Sequence, residues 1–369
     1  MAAGDIRPFE RSDAAEVARL YDLVVRSGRP ASPERLASYF QRTLIDYPWA
    51  DPEIPSLVHT DGDGRIVAFQ GSHVRRARLD GRGVRLACAG QLVSHPDARS
   101  RGAGAMLLRA YLAGPQELTF TDGATDRMRD IWTRLGGRMA PLPCISWTKV
   151  LRPLGFSASR ILRPTRRAPR AGAPALRALD AVATRLRAFR PPPEQPALSA
   201  EPLTPALVLE HLPAVSRHVR LCPAYDEGYL RWMFEELAAV TARGRLIANL
   251  VRERAGGRAL GWYVYYLLPG GLSNVLQIAS ASRDTQAVLD RLLRDAWTGG
   301  ALAVRGRVEA PLLESLGRRG CLMHFTGEAL IHGGDGGLSD AILSGSSLLS
   351  RVDGEWWMGH HVLDFEGPA

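Results

Sequence analysis

The sequence of 369 residues predicts an α/β (α+β) protein of two domains, each a mixed, mostly antiparallel sheet flanked by helices. Apolar runs with strand alternation are separated by turn pairs such as Asp61-Gly62 and Asp80-Gly81, which are typical of antiparallel hairpins. Segments of helical periodicity lie between these strand groups. The order of elements in the first part recurs after residue 200, and the length exceeds that at which one core keeps growing.

The first domain is predicted over residues 1–150. Ser32 as N-cap and Pro33 at the first helical position begin its second helix, and Gly136-Gly137 ends its last one. Its predicted strands are Ile6 to Phe9, Ser56 to His59, Ile66 to Ala77, Val84 to Val93 and Glu117 to Thr121. Its predicted helices are Ala14 to Val25, Pro33 to Ile45, Gly104 to Leu112 and Thr125 to Leu135.

The segment Gln91 to Leu112 runs from a strand through a basic, glycine-containing turn into an amphipathic helix. Backbone N–H groups at such a helix start have no intrahelical partner, and together with the positive end of the helix dipole they attract an anion. A dinucleotide-binding loop needs a third glycine where Leu107 stands, and a Walker loop needs Gly-Lys-Ser/Thr, which is missing. The segment therefore predicts a phosphate site of another type.

The run Arg99-Ser100-Arg101-Gly102-Ala103-Gly104 resembles the Arg/Gln-x-x-Gly-x-Gly/Ala signature of the GNAT superfamily of acyl-CoA-dependent N-acyltransferases. The run Ile131 to Gly136 resembles a second GNAT hallmark, of the form Leu-Tyr-x-x-Leu-Gly-Phe. The resemblance implies acetyl-CoA, or another acyl-CoA, as co-substrate, with no metal. It also implies that backbone amides in the turn hold the pyrophosphate and that the pantetheine arm follows strand four. The cofactor-binding residues that it implies are Leu92, Val93, Ser94, Arg99, Ser100, Arg101, Gly102, Ala103, Gly104, Ala105, Thr125 and Trp132.

Two positions depart from the family pattern, and both bear on catalysis. Trp132 stands where many members carry a tyrosine that protonates the departing thiolate, and Thr125 replaces a frequent asparagine. Asp122 is the candidate general base, because it follows strand five near the opening between strands four and five that the family implies; the alternative is that Asp122-Gly123 is a turn. Ser94 is a second candidate, orienting with Gln91 a water through which the proton leaves.

The second domain is predicted over residues 201–369 and resembles a degenerate second GNAT-like fold. Where the first domain has its glycine-containing turn, this one has Ser280 to Thr285, with no glycine and with Asp284 at the helix start. An acid in that position suits a helix cap but repels pyrophosphate. We therefore expect coenzyme binding in the first domain alone.

Residues 151–200 are predicted to be a basic Arg/Pro/Ala-rich connector. Between Leu151 and Arg190 there are ten arginines and one acidic residue. The net charge of this stretch is therefore +9, the same as the formal charge of the whole chain. Within it, Ala175 to Arg190 can form an amphipathic helix that either docks on its own domains or contacts an anionic membrane. The two aromatic residues of the stretch are too few for the stacking used by single-strand binders, so no nucleic-acid partner is expected.

The remaining composition narrows the class of protein. The four cysteines are far apart and form no Cys-x-x-Cys pair, which argues against a zinc site and fits reduced thiols. No apolar run is long enough to span a bilayer and no signal pattern begins the chain, so we expect a cytoplasmic location, at the inner face of the membrane if the connector binds lipid.

The function that these observations predict is transfer of an acetyl group from acetyl-CoA to a primary amine of a small molecule, amino sugar or peptide, by direct attack in a ternary complex. One alternative is a non-catalytic acyl-CoA-binding sensor or assembly protein. Another is a FemABX-like or cell-envelope polysaccharide-modifying transferase that docks at the membrane through the connector. The sequence does not identify the acceptor or the oligomeric state.

Overall fold

The computed structural model describes residues 4–26, 33–99, 102–161, 191–334 and 336–358. The chain forms two compact units, and neither is continuous in sequence. Unit 1 comprises residues 1–141, 219–242 and 327–369, and unit 2 comprises residues 142–218 and 243–326. The two mixed sheets flanked by helices confirm the predicted α/β fold class.

The sheet of unit 1 has the strand order β1-β2-β3-β4-β5-β15-β6, with β9 paired to the end of β3. All neighbours are antiparallel except β4 and β5, which are parallel. The strands are β1 (Ile6–Pro8), β2 (Leu57–Thr60), β3 (Ile66–Leu79), β4 (Arg82–Ser94), β5 (Leu118–Thr121), β6 (Arg138–Met139), β9 (Leu221–Pro223) and β15 (Leu330–Gly333).

Helices cover this sheet through apolar side chains at helical spacing. In the fourth helix Leu107, Leu108 and Tyr111 are buried against the sheet, while Met106 is 47% exposed. The helices of unit 1 are α1 (Ala14–Tyr21), α2 (Pro33–Phe40), α3 (Pro96–Arg99), α4 (Ala103–Leu112), α5 (Asp126–Arg134), α8 (Glu227–Ala239) and α11 (Gly336–Leu343).

The sheet of unit 2 has the strand order β14-β7-β13-β12-β11-β10-β8, and β12 and β13 form its parallel pair. Its main core packs α9 against the central strands. The strands are β7 (Ile145–Val150), β8 (Leu198–Pro202), β10 (Arg245–Glu253), β11 (Ala259–Leu267), β12 (Leu272–Ser280), β13 (Ala303–Arg307) and β14 (Leu322–Phe325). The helices are α6 (Pro153–Ile161), α7 (Pro205–Val215), α9 (Thr285–Thr298) and α10 (Leu313–Arg318).

In each sheet, a strand from the opposite half of the sequence lies between two strands from the unit's own half, and the sheet of unit 1 also includes β9 from the second half. Strand β15 comes late in the chain and lies between β5 and β6 of unit 1, whereas β7 comes early and lies between β13 and β14 of unit 2. The predicted domains 1–150 and 201–369 therefore differ from the observed units. Residues 1–150 contain one strand of unit 2, β7, and lack two strands of unit 1, β9 and β15.

The predicted connector, residues 151–200, is not a separate element where it is described. Its first residues form α6, and its last residues form β8, which pairs with β10 in unit 2. The predicted basic helix Ala175 to Arg190 lies outside the described residues, so docking and membrane contact both stay predictions. Within the described part of the chain, no helix is long and apolar enough to cross a membrane, and no group of three or more metal-ligating side chains is assembled.

Because β15 belongs to the sheet of unit 1, truncation of its buried residue Leu330 should destabilise that unit. Leu330 is 1% exposed in the core of unit 1, so Leu330→Ala should lower the free energy of unfolding by about 2 to 5 kcal/mol in urea titrations. Hydrogen exchange should rise in β5 and not in β13. Leu322→Ala, at a side chain that is 65% exposed, is the control and should change stability by less than about 0.5 kcal/mol. Faster exchange in β13 instead would contradict the assignment of β15 to the first sheet.

Candidate functional site

The first feature of the site is a gap in the sheet of unit 1. Strands β4 and β5 pair only from Leu86 to Cys88 on one side and Leu118 to Phe120 on the other. Beyond Cys88, β4 continues to Ser94 and stays paired with β3, while β5 ends at Thr121. Nearly half of β4, from residue 89 to Ser94, therefore has a strand on one side and an opening on the other.

A β-bulge in β4 lies at this gap. Phe69 of β3 faces Val93, but Gly71 faces Gly90, so Gln91 and Leu92 together occupy the place of one residue. Gln91 has a φ of 50°, in the left-handed region that a residue with a side chain seldom adopts.

Two buried side chains hold the bulge in place. Gln70 donates from Nε2 to the backbone oxygens of Gly71 (2.7 Å) and Gly90 (2.8 Å), one on each strand. His73 Nε2 lies 3.1 Å from Gln91 Oε1. Burial, with a smaller contribution from Arg75, lowers the pKa of His73 to about 3, so the imidazole is neutral at physiological pH.

The end of β4 aims a backbone donor at the opening. His95 N–H donates to Val67 O of β3 at 2.8 Å. Because N–H groups alternate in direction along a strand, the N–H of Ser94 points away from β3, towards the gap. This geometry favours Ser94 over Val93 as the amide that faces a ligand there.

The start of α4 supplies further donors to the same cleft. Gly102 is the N-cap with a φ of 76°, which a side chain would strain. Met106 N–H donates to Gly102 O, and the N–H groups that precede such a first bond have no acceptor within their own helix. A Cβ at Gly104 would lie 3.3 Å from Ser94 Oγ, so glycine allows the helix start to approach β4 closely.

A carboxylate from the far end of the chain fills the gap between β4 and β5. Thr121 Oγ1 donates to Glu355 Oε1 at 2.5 Å, and Gln91 N–H donates to Oε2 at 3.2 Å. Cβ atoms at Gly90 and Gly123 would lie 2.6 Å and 3.3 Å from the same carboxylate. Glycine on both sides therefore makes room for Glu355.

The surroundings of Glu355 favour its neutral form. Removal from water is the main cause that raises its pKa to about 8, and the nearby charge of Asp122 acts in the same direction. The hydrogen bonds from Thr121 and Gln91 partly oppose this rise. A carboxyl group with a pKa near neutrality can exchange a proton at physiological pH.

The gap, the bulge and the helix start line a single cleft of about 640 Å³ within unit 1. Side chains of α5 and of the turn that follows α1, Val24 and Val25, form much of the rest of its wall. Among the described residues that line the cleft, the acidic and basic side chains are those of Arg127, Glu328 and Glu355. Glu328 is paired with Arg351 at 3.3 Å.

Most of the residues predicted to bind the cofactor line this cleft. Those that do so are Leu92, Val93, Ser94, Gly102, Gly104, Ala105, Thr125 and Trp132. Ala103 is 2% exposed and packs beneath the helix start. Ser100 and Arg101 lie outside the described residues, as does the side chain of Arg99. The binding role of all these residues stays a prediction.

Thr125 and Trp132, the two residues that depart from the GNAT pattern, also have structural roles: one caps a helix and the other is packed in the core. Thr125 caps α5, with its Oγ1 accepting the N–H of Met128 at 3.4 Å. Trp132 is 2% exposed and stands edge-on to His332 of β15. Its indole offers an N–H donor but no group that titrates near neutrality.

Asp122 does not have the position that a general base requires. It is 2% exposed and is not among the residues that line the cleft. Its Oδ1 accepts the backbone N–H groups of Glu355 (2.7 Å) and Trp356 (3.0 Å), so the carboxylate holds the segment that carries Glu355. The acid that faces the cleft at this place is Glu355.

Glu355 is the functional candidate that sequence reasoning missed. It lies 233 positions after Asp122 in a segment with no regular secondary structure. The local signal was an acid between Gly354 and the aromatic pair Trp356-Trp357. A charge within such an apolar context suggests a partner in the fold, but it does not identify that partner.

The corresponding helix start in unit 2 is arranged differently. Asp284 ends the short 3₁₀ turn before α9, and its carboxylate pairs with Arg258 at 2.7 Å. Asp284 is 7% exposed. A carboxylate therefore occupies this helix start, and coenzyme binding in the first domain alone stays a prediction.

The raised pKa of Glu355 predicts how stability depends on pH. Because the folded-state pKa lies above that of an unfolded glutamate, stability is lost as pH rises from about 4.5 through about 8, by at most about 1.4 kcal/mol per pH unit. In urea titrations across this pH range, the free energy of unfolding of Glu355→Gln should not show this decrease with pH. Glu227→Gln, at an exposed site, is the control and should keep the slope of the wild type. Equal slopes for the wild type and Glu355→Gln would contradict the assignment.

No family model matches the chain, and no curated protein matches it in sequence. Similar solved structures include a conserved protein from Enterococcus faecalis V583, described as a probable N-acyltransferase (TM-score 0.59, 10% identity, covering 89% of this chain and 72% of that one). They also include a GCN5-related N-acetyltransferase from Kribbella flavida (0.54, 16%, 89% and 71%) and Saccharomyces cerevisiae N-myristoyltransferase with bound myristoyl-CoA (0.52, 10%, 96% and 84%). The chain therefore has the fold of the GNAT superfamily.

Proposed function

We propose that the chain is an acyl-CoA-dependent N-acyltransferase whose site is the cleft of unit 1, with Glu355 as the general base. The observation that carries this proposal is the carboxylate of Glu355 in the gap between β4 and β5, in the same cleft as the start of α4. One cleft thus combines donors for a phosphate ester with a group that can accept a proton.

The coenzyme occupies the cleft along β4. Its pyrophosphate lies on the amides at the start of α4, near Gly104 and Ala105, where the first turn has no acidic residue. The pantetheine arm extends beside Leu92 and Val93 as an added strand would, because this part of β4 has no strand on that side. The thioester carbonyl accepts the N–H of Ser94.

The reaction is direct attack of an amine on the thioester. The amine nitrogen forms a bond to the carbonyl carbon, and Glu355 takes the proton that the nitrogen loses. The carbon–sulfur bond then breaks with its electron pair on sulfur, and coenzyme A leaves as a thiolate. A thiol has a pKa of about 8.5, so the thiolate can leave without a protein acid, which fits the tryptophan at position 132.

The donor proposed is acetyl-CoA, and the acceptor is a primary amine of a small molecule, amino sugar or peptide. The Kribbella flavida relative is an N-acetyltransferase by name, and the yeast relative was solved with myristoyl-CoA, so these two acyl-CoA thioesters are the first donors to compare. Release of free thiol with a panel of primary amines, measured against hydrolysis without amine, tests both choices.

The second candidate is an acyl-CoA-binding protein that does not transfer the acyl group. It is favoured by one observation, the indole of Trp132 where many GNAT enzymes have a tyrosine acid. Tight binding of acyl-CoA with no product from any amine in the panel would select this candidate.

Removing the base should separate binding from chemistry. Glu355→Gln keeps the size of the side chain but cannot take a proton, so kcat should fall about 10²- to 10⁴-fold. The dissociation constant for acyl-CoA, measured by calorimetry, should change little, and the wild-type kcat should rise with pH through a midpoint of about 8. A glutamine variant with wild-type kcat would exclude Glu355 as the base.

A negative charge at the helix start should prevent coenzyme binding. Ala105→Asp places a carboxylate among the amides at the start of α4, where it repels pyrophosphate, so acyl-CoA affinity should fall at least tenfold. Ala113→Asp makes the same charge change at the other end of the same helix and should bind acyl-CoA as the wild type does. Equal affinity of the two variants would place the phosphates elsewhere.

A further inference from the structure

We propose that Asp122 is a positioning residue that fixes the segment of Glu355, and thereby the carboxyl group of Glu355, in the gap between β4 and β5. This inference rests on the proposed function, because it concerns how the base of that reaction is held. The basis is an arrangement of three consecutive residues, Thr121 to Gly123, against the segment Gly354 to Trp356.

Each of the three consecutive residues contacts Glu355 or its segment in a different way. Thr121 donates its hydroxyl to the carboxylate of Glu355. Asp122 accepts the N–H groups of Glu355 and Trp356 with one oxygen, at 2.7 and 3.0 Å. Gly123 leaves the space that the carboxylate occupies. The residues at the end of β5 therefore contact both the backbone and the side chain of Glu355.

Gly354 shows how closely the segment is wrapped around Asp122. A Cβ added at Gly354 would lie 2.1 to 2.3 Å from three atoms of the Asp122 carboxylate group. A side chain at this position would thus push the two apart. Two charge-assisted hydrogen bonds then hold a segment that has no helix or strand of its own to fix it.

The second effect of Asp122 is electrostatic. Its negative charge disfavours ionised Glu355 and so raises the pKa of that base. Within the described part of the chain, Cys88 on β4 and Tyr111 on α4 also interact with Glu355, and burial raises the pKa of both, so they stay neutral. Arg127 of α5 and the Glu328–Arg351 pair also border the cleft, and His73 of β3 is neutral. Among the described residues, Asp122 is the charged group whose interaction raises the pKa of Glu355.

The test compares two variants at Asp122. Asp122→Asn keeps an oxygen that can accept both N–H groups but removes the charge, so the midpoint of the kcat–pH profile should move to lower pH while kcat at high pH stays near the wild-type value. Asp122→Ala removes the oxygen as well, so kcat should fall about 10²-fold through misplacement of the base, with the KM for acyl-CoA unchanged. Asp130→Asn removes an exposed charge of the same sign and should leave the profile unmoved.

A second variant reaches the same contact from the other side. Gly354→Ala leaves the charge of Asp122 in place and displaces the segment, so kcat should fall as it does in Asp122→Ala. This keeps the inference testable if the Asp122 variants do not fold. A midpoint that Asp122→Asn does not move, or a Gly354→Ala variant with wild-type kcat, would overturn it. If Glu355→Gln is inactive while one of these two results is obtained, the role of Asp122 is wrong but the proposed function stands. An active Glu355→Gln variant would instead show that Glu355 is not the general base.

Discussion

The parting of β4 from β5 beyond Cys88 is the constraint on which the site depends. Backbone donors and acceptors that lose their strand partner must find another, because an unpaired buried polar group costs about as much as a lost hydrogen bond. Here the N–H of Gln91 is satisfied by the carboxylate of Glu355. The remainder of β4 faces a cleft, so the same break in the sheet creates both this cleft and the place for an acid.

Keeping an acid in that place requires a rigid support, since removing a carboxylate from water is costly. The segment that carries Glu355 is fixed deep in unit 1 by Arg75, which is 1% exposed and donates from Nε to Asp353 O at 2.7 Å. Tyr225 adds a hydrogen bond to Asp353 Oδ1 at 2.6 Å. These contacts lie outside the cleft, so they stabilise the position of Glu355 without occupying the space of a ligand.

The two sheets have the same order of strands. The units differ at the start of the helix that follows β4 in unit 1 and β12 in unit 2, the first strand of each parallel pair. In unit 1 that helix begins with glycines and no acid, whereas in unit 2 Asp284 stands there in an ion pair with Arg258. Each sheet is completed by a strand from the other half of the chain, β15 in one and β7 in the other. The cleft of unit 1 therefore depends on residues 327–358 as well as on residues near the beginning of the chain.

The sequence by itself determined what local spacing encodes. Strand alternation, helical periodicity and turn glycines predicted most strands and helices to within a few residues, and Gly102 and Gly104 indicated the helix start that lines the cleft. The exchange of β7 and β15, the place of Asp122 behind the cleft, and Glu355 itself were decided only by the tertiary structure. The physical reason is that the exchanged strands and the carboxyl group of Glu355 are placed by contacts between residues that are far apart in sequence. The partners of β7 and β15 are more than 150 positions away, and Glu355 and Asp122 are 233 positions apart, so local patterns do not record such contacts.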